Sequence, residues 1–140
     1  MVPERSLSDS NITPFVRQLR HKIRHAQEPD NPCLLMTWFH LEESECNHCN
    51  QEQQWLRYKS SVELLLDTFT DELNPAHWRA LCLDNLIRPL SCLQRLVKSD
   101  HQAAELRQLL QDVSTLSHYF TPNFSPVSYT HLTLPTILLV

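Results

Sequence analysis

The chain has 140 residues, a formal net charge of −4 and no glycine. An average protein of this length would contain about nine glycines at roughly 7% usage, and glycine supplies the positive φ angles of hairpin turns and phosphate-binding loops. The composition therefore argues against a sheet-rich fold. It also excludes P-loops, dinucleotide fingerprints, G-x-S-x-G nucleophile elbows and EF-hand loops from this sequence.

Charge is distributed unevenly along the chain. Residues 1–27 contain five basic and two acidic side chains, a net charge of +3, whereas residues 28–140 contain seven basic and fourteen acidic side chains, a net charge of −7. A basic segment attached to an acidic body can bind an external anion, and it can equally dock on its own domain.

The first helix is predicted to follow a flexible polar leader at residues 1–12. Thr13-Pro14 combines an N-cap residue with a proline at the first helical position, which is typical of a helix start. Apolar residues then recur at helical spacing, and a basic face lies opposite them. The apolar residues are Phe15, Val16, Leu19, Ile23 and Ala26, and the basic face contains Arg17, Arg20, Lys22 and Arg24.

Two further helices and a loop are predicted in the middle of the chain. The second helix runs from about Pro32 to Leu41 and is apolar nearly all round, so we expect it to be the most buried element. The polar run at residues 42–51 is predicted to be a loop. The third helix is predicted from about Glu52 to Glu72, with an apolar stripe that reaches Leu73.

The remaining helices are bounded by proline and capping signals. Asn74-Pro75 predicts the start of a fourth helix, and Pro89 should break or kink it because proline lacks an N–H and clashes with the preceding turn. A short apolar segment follows. A capping box at Ser99 to Gln102 predicts a last helix that ends at Thr121-Pro122. The pattern as a whole predicts an all-α fold, an irregular bundle of five or six short helices in one domain at residues 13–125.

The end of the chain has a different character. Residues 126–136 read PVSYTHLTLPT, and Val127 to Thr136 resembles, without a mismatch, one reading frame of a transposon-end sequencing adaptor. The resemblance implies that residues 126–140 are an artefact to be excluded from fold reasoning. It also implies that residues 1–125 are the N-terminal part of a longer protein whose true C-terminus is missing.

Cys46-Asn-His-Cys49 is the local constellation most suggestive of chemistry. Two thiolates at this spacing can form half of a tetrahedral zinc site, and Cys33, His40 and His48 are the nearby candidates for further ligands. No second C-x-x-C follows at the usual spacing, so two unrelated cysteines are the alternative interpretation. The odd total of five cysteines favours reduced thiols over a disulfide framework.

The basic face of the first helix is a second candidate site. This face, formed by Arg17, Arg20, Lys22 and Arg24, could neutralise the phosphates of a nucleic acid or of an anionic membrane surface. No recognition-helix pair or aromatic interleaving accompanies them. A solvated face, or one that docks within the molecule, is therefore the alternative.

The function predicted from these patterns is a helical protein–protein interaction or scaffolding module with an unidentified protein partner. No nucleophile, base and acid can be recognised as a group, and no cofactor is predicted apart from the zinc ion that Cys46 and Cys49 could bind. No apolar run in residues 1–125 approaches the roughly 18–20 residues needed to span a bilayer, and no signal peptide is evident, so we expect a cytoplasmic protein. The alternatives are a zinc-stabilised nucleic-acid-binding regulator and a fragment of an enzyme whose active site lies beyond the truncation.

Overall fold

The computed structural model describes residues 12–120. All regular secondary structure in this range is helical, which confirms the predicted all-α class. The helices are α1 (Pro14–Arg24), α2 (Cys33–Cys46), α3 (Gln51–Thr70), α4 (Ala76–Asp84), α5 (Ile87–Leu96) and α6 (Asp100–Phe120).

The chain divides into two compact units, Met1–Leu96 and Val97–Val140. Helices α1 to α5 belong to the first unit and α6 belongs to the second. The boundary lies inside the range 13–125 that the sequence pattern suggested as one domain. The adaptor-like residues 126–140 and most of the predicted leader lie outside the described residues, and the last leader residue, Ile12, is buried.

Helix α3 is the centre of the first unit, because it packs against each of the other four helices. Its inward face is apolar, and Val62, Leu65 and Phe69 are completely buried. The facing helices contribute large side chains to the same core, including Ile23, Leu35, Trp38, Trp78 and Leu93. The three tryptophans lie in α2, α3 and α4 and are all buried.

Helix α1 begins and ends with recognisable caps. The Thr13 hydroxyl accepts a hydrogen bond from the Val16 N–H, and Pro14 occupies the first helical position, as predicted. At the other end, the Gln27 N–H bonds the Lys22 carbonyl and Ala26 takes a φ of 50°. This is a Schellman turn, in which glycine usually occupies the left-handed position. Alanine occupies it here, at a steric cost to its Cβ.

The predicted loop at residues 42–51 is wrong over its first half. Helix α2 continues to Cys46, and only residues 47–50 form the turn before α3. Glutamate is a good helix former, and Glu42 extends the inward face of α2. Asn50 and Gln53 form a reciprocal capping box at the start of α3.

Helix α2 is not buried on every side, contrary to the prediction from its apolar composition. Its inward residues form one stripe, while Cys33 and Met36 are exposed on the opposite side. The inward stripe consists of Leu34, Leu35, Trp38, Phe39, Glu42 and Cys46. An apolar composition therefore did not decide which side of this helix faces the core.

Three predicted helix signals have mixed outcomes. Asn74 does not cap α4 with its side chain, because its amide donates to the carbonyls of Arg24 and Thr68 instead. A new helix does begin around Pro89, which lies in the first turn of α5, where a missing N–H costs little. Ser99 accepts from the Gln102 N–H as predicted, but the Gln102 side chain bonds the Lys98 N–H.

Candidate functional site

Within residues 12–120, a group of linked charged side chains surrounds Glu42, which is fully buried in α2. Its Oε2 accepts hydrogen bonds from Arg20 Nε at 2.6 Å and from Trp38 Nε1 at 2.7 Å. Its Oε1 accepts from Arg57 Nε at 3.0 Å and Nη2 at 2.6 Å. A carboxylate offers about four lone-pair positions, so this one is saturated by donors from α1, α2 and α3.

Glu45 adds a second layer to this group. Its Oε1 accepts from Arg57 Nη2 at 2.9 Å, and its Oε2 accepts from the Thr13 hydroxyl at 2.6 Å. Burial opposes ionisation of Glu45, but the hydrogen bonds from Thr13 and Arg57 outweigh it, so that the pKa of Glu45 lies below its ordinary value. We call Arg20, Glu42, Glu45 and Arg57 the Glu42 network; its formal charges cancel.

Arg57 is the buried cation whose charge the Glu42 network balances. It is almost completely buried in α3. Burial disfavours the charged form, yet attraction to Glu42 prevails, and the pKa of Arg57 rises above its usual value. The guanidinium is therefore a fixed cation in the core, and its charge is balanced by Glu42 and Glu45.

The chemistry available to the Glu42 network is limited by its own hydrogen bonds. General acid–base catalysis requires a group within reach of a substrate proton. Both oxygens of Glu42 are already held by internal donors, and Arg20 also donates to the Ser60 hydroxyl at 2.7 Å. The hydrogen bonds to Glu42 form a buried polar cluster that fixes the positions of α1, α2 and α3 relative to one another.

The basic face of α1 is largely engaged inside the molecule. Arg20 belongs to the Glu42 network, Lys22 pairs with Glu28 at 3.0 Å, and Arg24 pairs with Asp71 at 2.7 Å. Arg17 donates to the Ile12 carbonyl at 3.3 Å. The charge distribution allowed this face either to bind an external anion or to dock on its own domain. The observed contacts are of the second kind. Nucleic-acid binding by this face stays a prediction.

The predicted zinc ligands lie in different environments. Cys46 is buried, Cys49 is half-buried, and Cys33, His40 and His48 are exposed. The Cys49 thiol lies 3.6 Å from the Glu45 carbonyl. Within residues 12–120, no three histidine, cysteine, aspartate or glutamate side chains are gathered as a metal site.

Cys46 has a local partner other than a metal. The Tyr58 hydroxyl lies close enough to the thiols of Cys46 and Cys92 to interact with both, where α2, α3 and α5 meet. Burial raises the pKa of Cys46 to about 11 and also raises the pKa values of Cys92 and Tyr58. Zinc binds the thiolate form, so this environment opposes metal binding at Cys46. Zinc stays a prediction, to be tested by metal analysis of the purified protein.

Glu42 and Arg57 were missed by sequence reasoning, although one signal could have found them. The stripe from Leu35 through Trp38 and Phe39 has helical spacing, and its next position is Glu42. The polar run from Glu42 onward hid this continuation. A carboxylate on a core stripe requires a buried cation, and Arg57 lies between apolar residues of α3.

In the described part of the first unit, residues 12–96, three large apolar residues that were predicted to be buried are exposed. Phe15 is 58%, Met36 57% and Leu73 94% exposed. Leu73 fails the prediction because α3 ends at Thr70, so its periodicity does not extend into the following turn. Phe15 and Met36 lie on the outward sides of α1 and α2.

Comparison with known proteins adds no relative. No protein-family model matches the chain, and neither a curated protein nor a solved structure matches it. None of the helices in the described part of the chain is both long and apolar enough to cross a membrane.

Proposed function

We propose that the first unit is a helical protein–protein interaction or scaffolding module. The observation that carries the proposal is the exposure of Phe15, Met36 and Leu73, each more than half accessible to solvent. Large apolar side chains bury substantial area when they meet a partner, and methionine adapts to irregular surfaces. Among the described residues of this unit, these three are the large apolar side chains that a partner could cover.

The charged groups support the same proposal. The Glu42 network has its donors and acceptors matched internally, and most of the basic face of α1 is paired. A rigid polar core of this kind holds α1, α2 and α3 in fixed positions, and rigid helices present side chains to a partner at a low entropic cost. A zinc-stabilised nucleic-acid-binding regulator and an enzyme fragment are the alternatives. Within residues 12–120, neither alternative is supported by a group of side chains as clear as the exposed residues Phe15, Met36 and Leu73.

Photo-crosslinking tests the interaction surface directly. A benzophenone amino acid would be placed in the full chain at position 15, 36 or 73, in extracts of the source cells. Position 51 is the matched control, because Gln51 is an exposed polar residue on α3. We expect a discrete adduct from at least one apolar position and none from position 51.

Two outcomes would contradict this proposal. Equal labelling from all four positions would indicate non-specific contact. The absence of an adduct from positions 15, 36 and 73 would show that these residues do not contact a partner. Binding of random-sequence DNA or RNA that falls steeply with salt and is lost in Arg17→Ala would favour the nucleic-acid alternative.

We also propose a cytoplasmic, reducing location. The support is that all five cysteines of the chain lie in the described residues and are free thiols, as is usual in reducing compartments. Thiol titration of freshly isolated, denatured protein should count all five. A lower count that reductant restores would contradict the assignment.

A further inference from the structure

Two histidines form a pair at the C-terminal end of α1. His21 and His25 are one helical turn apart, and both side chains are exposed. Their ring centres are 4.5 Å apart, with an angle of 57° between the ring planes. The two imidazoles therefore lie side by side on one surface of the helix, open to solvent.

This separation suits a shared metal ion. An imidazole nitrogen binds zinc at about 2.1 Å, which places the centre of its ring about 3.2 Å from the metal. Two imidazoles that bind one ion at the right angle of square-planar or tetragonal coordination, the geometry of copper and nickel, then have ring centres about 4.5 Å apart. Histidines at i and i+4 are the spacing by which helices commonly hold one metal ion on one face.

The charges around the pair also favour a cation. His21 lies in the last turn of α1 and His25 is its C-cap residue, and a helix C-terminus carries a partial negative charge. The two cationic residues that lie between His21 and His25 in the sequence are each paired with a carboxylate, Lys22 with Glu28 and Arg24 with Asp71. His25 is close enough to Asp71 to interact with its carboxylate electrostatically.

We propose that His21 and His25 form a two-imidazole surface site for a divalent transition-metal ion of the class that prefers nitrogen ligands. Nickel, copper and zinc belong to this class, and water molecules complete the coordination. The site differs from the Cys46 and Cys49 hypothesis in its ligands, which are neutral nitrogens at the surface rather than thiols. It would bind metal at the end of the helix that carries the basic face.

Calorimetric titration of the full chain with Ni²⁺ tests this site. Nickel is chosen because it prefers imidazole and does not oxidise thiols. We expect a single strong site, and either His21→Ala or His25→Ala should weaken it at least about tenfold, because the remaining imidazole loses the chelate advantage. His101→Ala and His118→Ala are matched controls at exposed histidines of α6, and each should keep the wild-type affinity.

A thiol control separates the two metal hypotheses. The double variant Cys33→Ser, Cys49→Ser removes the more accessible thiols and should leave nickel affinity unchanged. Nickel should also raise the thermal midpoint of the wild type and not that of His21→Ala, because only the folded helix holds both rings together. Unchanged nickel affinity in both histidine variants, or affinity lost only in the cysteine variant, would overturn the proposal.

Discussion

Two of the three arginines of helix α1, Arg20 and Arg24, lie one turn apart, and each forms an ion pair with a different part of the chain. Arg20 meets Glu42 at 2.6 Å and Arg24 meets Asp71 at 2.7 Å. The distances are nearly equal, but the environments are not. The side chains of the first pair are 13% and 0% exposed, and those of the second are 34% and 22% exposed.

The comparison shows that burial, rather than ion-pair distance, determines what each pair does for the fold. Water can hydrate Arg24 if its partner is lost, so this pair contributes little. The Glu42 carboxylate balances a buried guanidinium from α3 as well as Arg20, and water cannot replace it there. The same residue type on one helix therefore has a structural role at position 20 and a minor one at position 24.

The largest effect is expected from removing the buried carboxylate. Glu42→Ala should lower the free energy of unfolding by about 3–5 kcal/mol, because it leaves Arg57 buried without its main counter-charge. Urea unfolding of wild type, Glu42→Ala and the control Asp71→Ala would measure this. Similar losses in the two variants would contradict the contrast between the pairs.

Trp38 connects the Glu42 network to the apolar core, so its removal tests both parts. Trp38→Ala should cost about 3–5 kcal/mol, as is typical for a core aromatic. Trp38→Phe keeps much of the ring volume but removes the N–H that bonds Glu42, so it should cost less. A loss below about 1 kcal/mol for the alanine variant would show that Trp38 is not a core residue.

The pH dependence of stability should contain a contribution from Glu45. Its pKa is lowered in the folded state, so the stabilisation is fully present above the unfolded-state pKa of about 4.3. It is lost as the pH falls through the lower, folded-state pKa. The gap in unfolding free energy between wild type and Glu45→Gln should therefore shrink on acidification. Thr13→Ala should weaken this dependence, whereas Thr13→Ser, which keeps the hydroxyl, should preserve it; a gap independent of pH would refute the assignment.

The exposed end of α1 should accept a stabilising change. Ala26 has a φ of 50°, where glycine has no steric cost, so Ala26→Gly should gain about 0.5–1 kcal/mol after the larger chain entropy of unfolded glycine is counted. Ala80→Gly, within α4, is the control and should lose stability. Thermal unfolding would show the opposite signs, and a loss at position 26 would be inconsistent with this backbone.

The smallest effect is expected from the exposed pair. A double-mutant cycle of Arg24→Ala and Asp71→Ala should give a coupling below about 1 kcal/mol, and this coupling should fall in high salt. A coupling above about 2 kcal/mol that persists in salt would place the pair among buried ones. The comparison with Arg20 would then have to be abandoned.

Local signals in the sequence predicted the helices well where one or two residues suffice. Thr13-Pro14 identifies the start of α1, and Ser99 with Gln102 identifies the start of the last helix. Pro89 correctly indicates a new helix after α4. Such signals depend on backbone groups within four residues, so no distant contact is needed to interpret them.

The candidate site depended on contacts that no local pattern contains. Glu42 and Arg57 are fifteen residues apart, and each by itself resembles a surface charge. The pairing of Arg24 with Asp71 spans forty-seven residues. The Asn74 side chain likewise does not cap α4, because its amide donates to carbonyls near the ends of α1 and α3.

By itself, the sequence determined the helical class, most helix starts and the identity of many core residues, because periodicity and capping are short-range properties of the chain. The packing of the helices, in contrast, determines that Glu42 and Arg57 are buried while Phe15, Met36 and Leu73 are exposed. The physical reason is that burial depends on which neighbour covers each side of a helix. A charge can enter the core when another helix supplies its counter-charge, and an apolar side chain stays at the surface when no helix covers it.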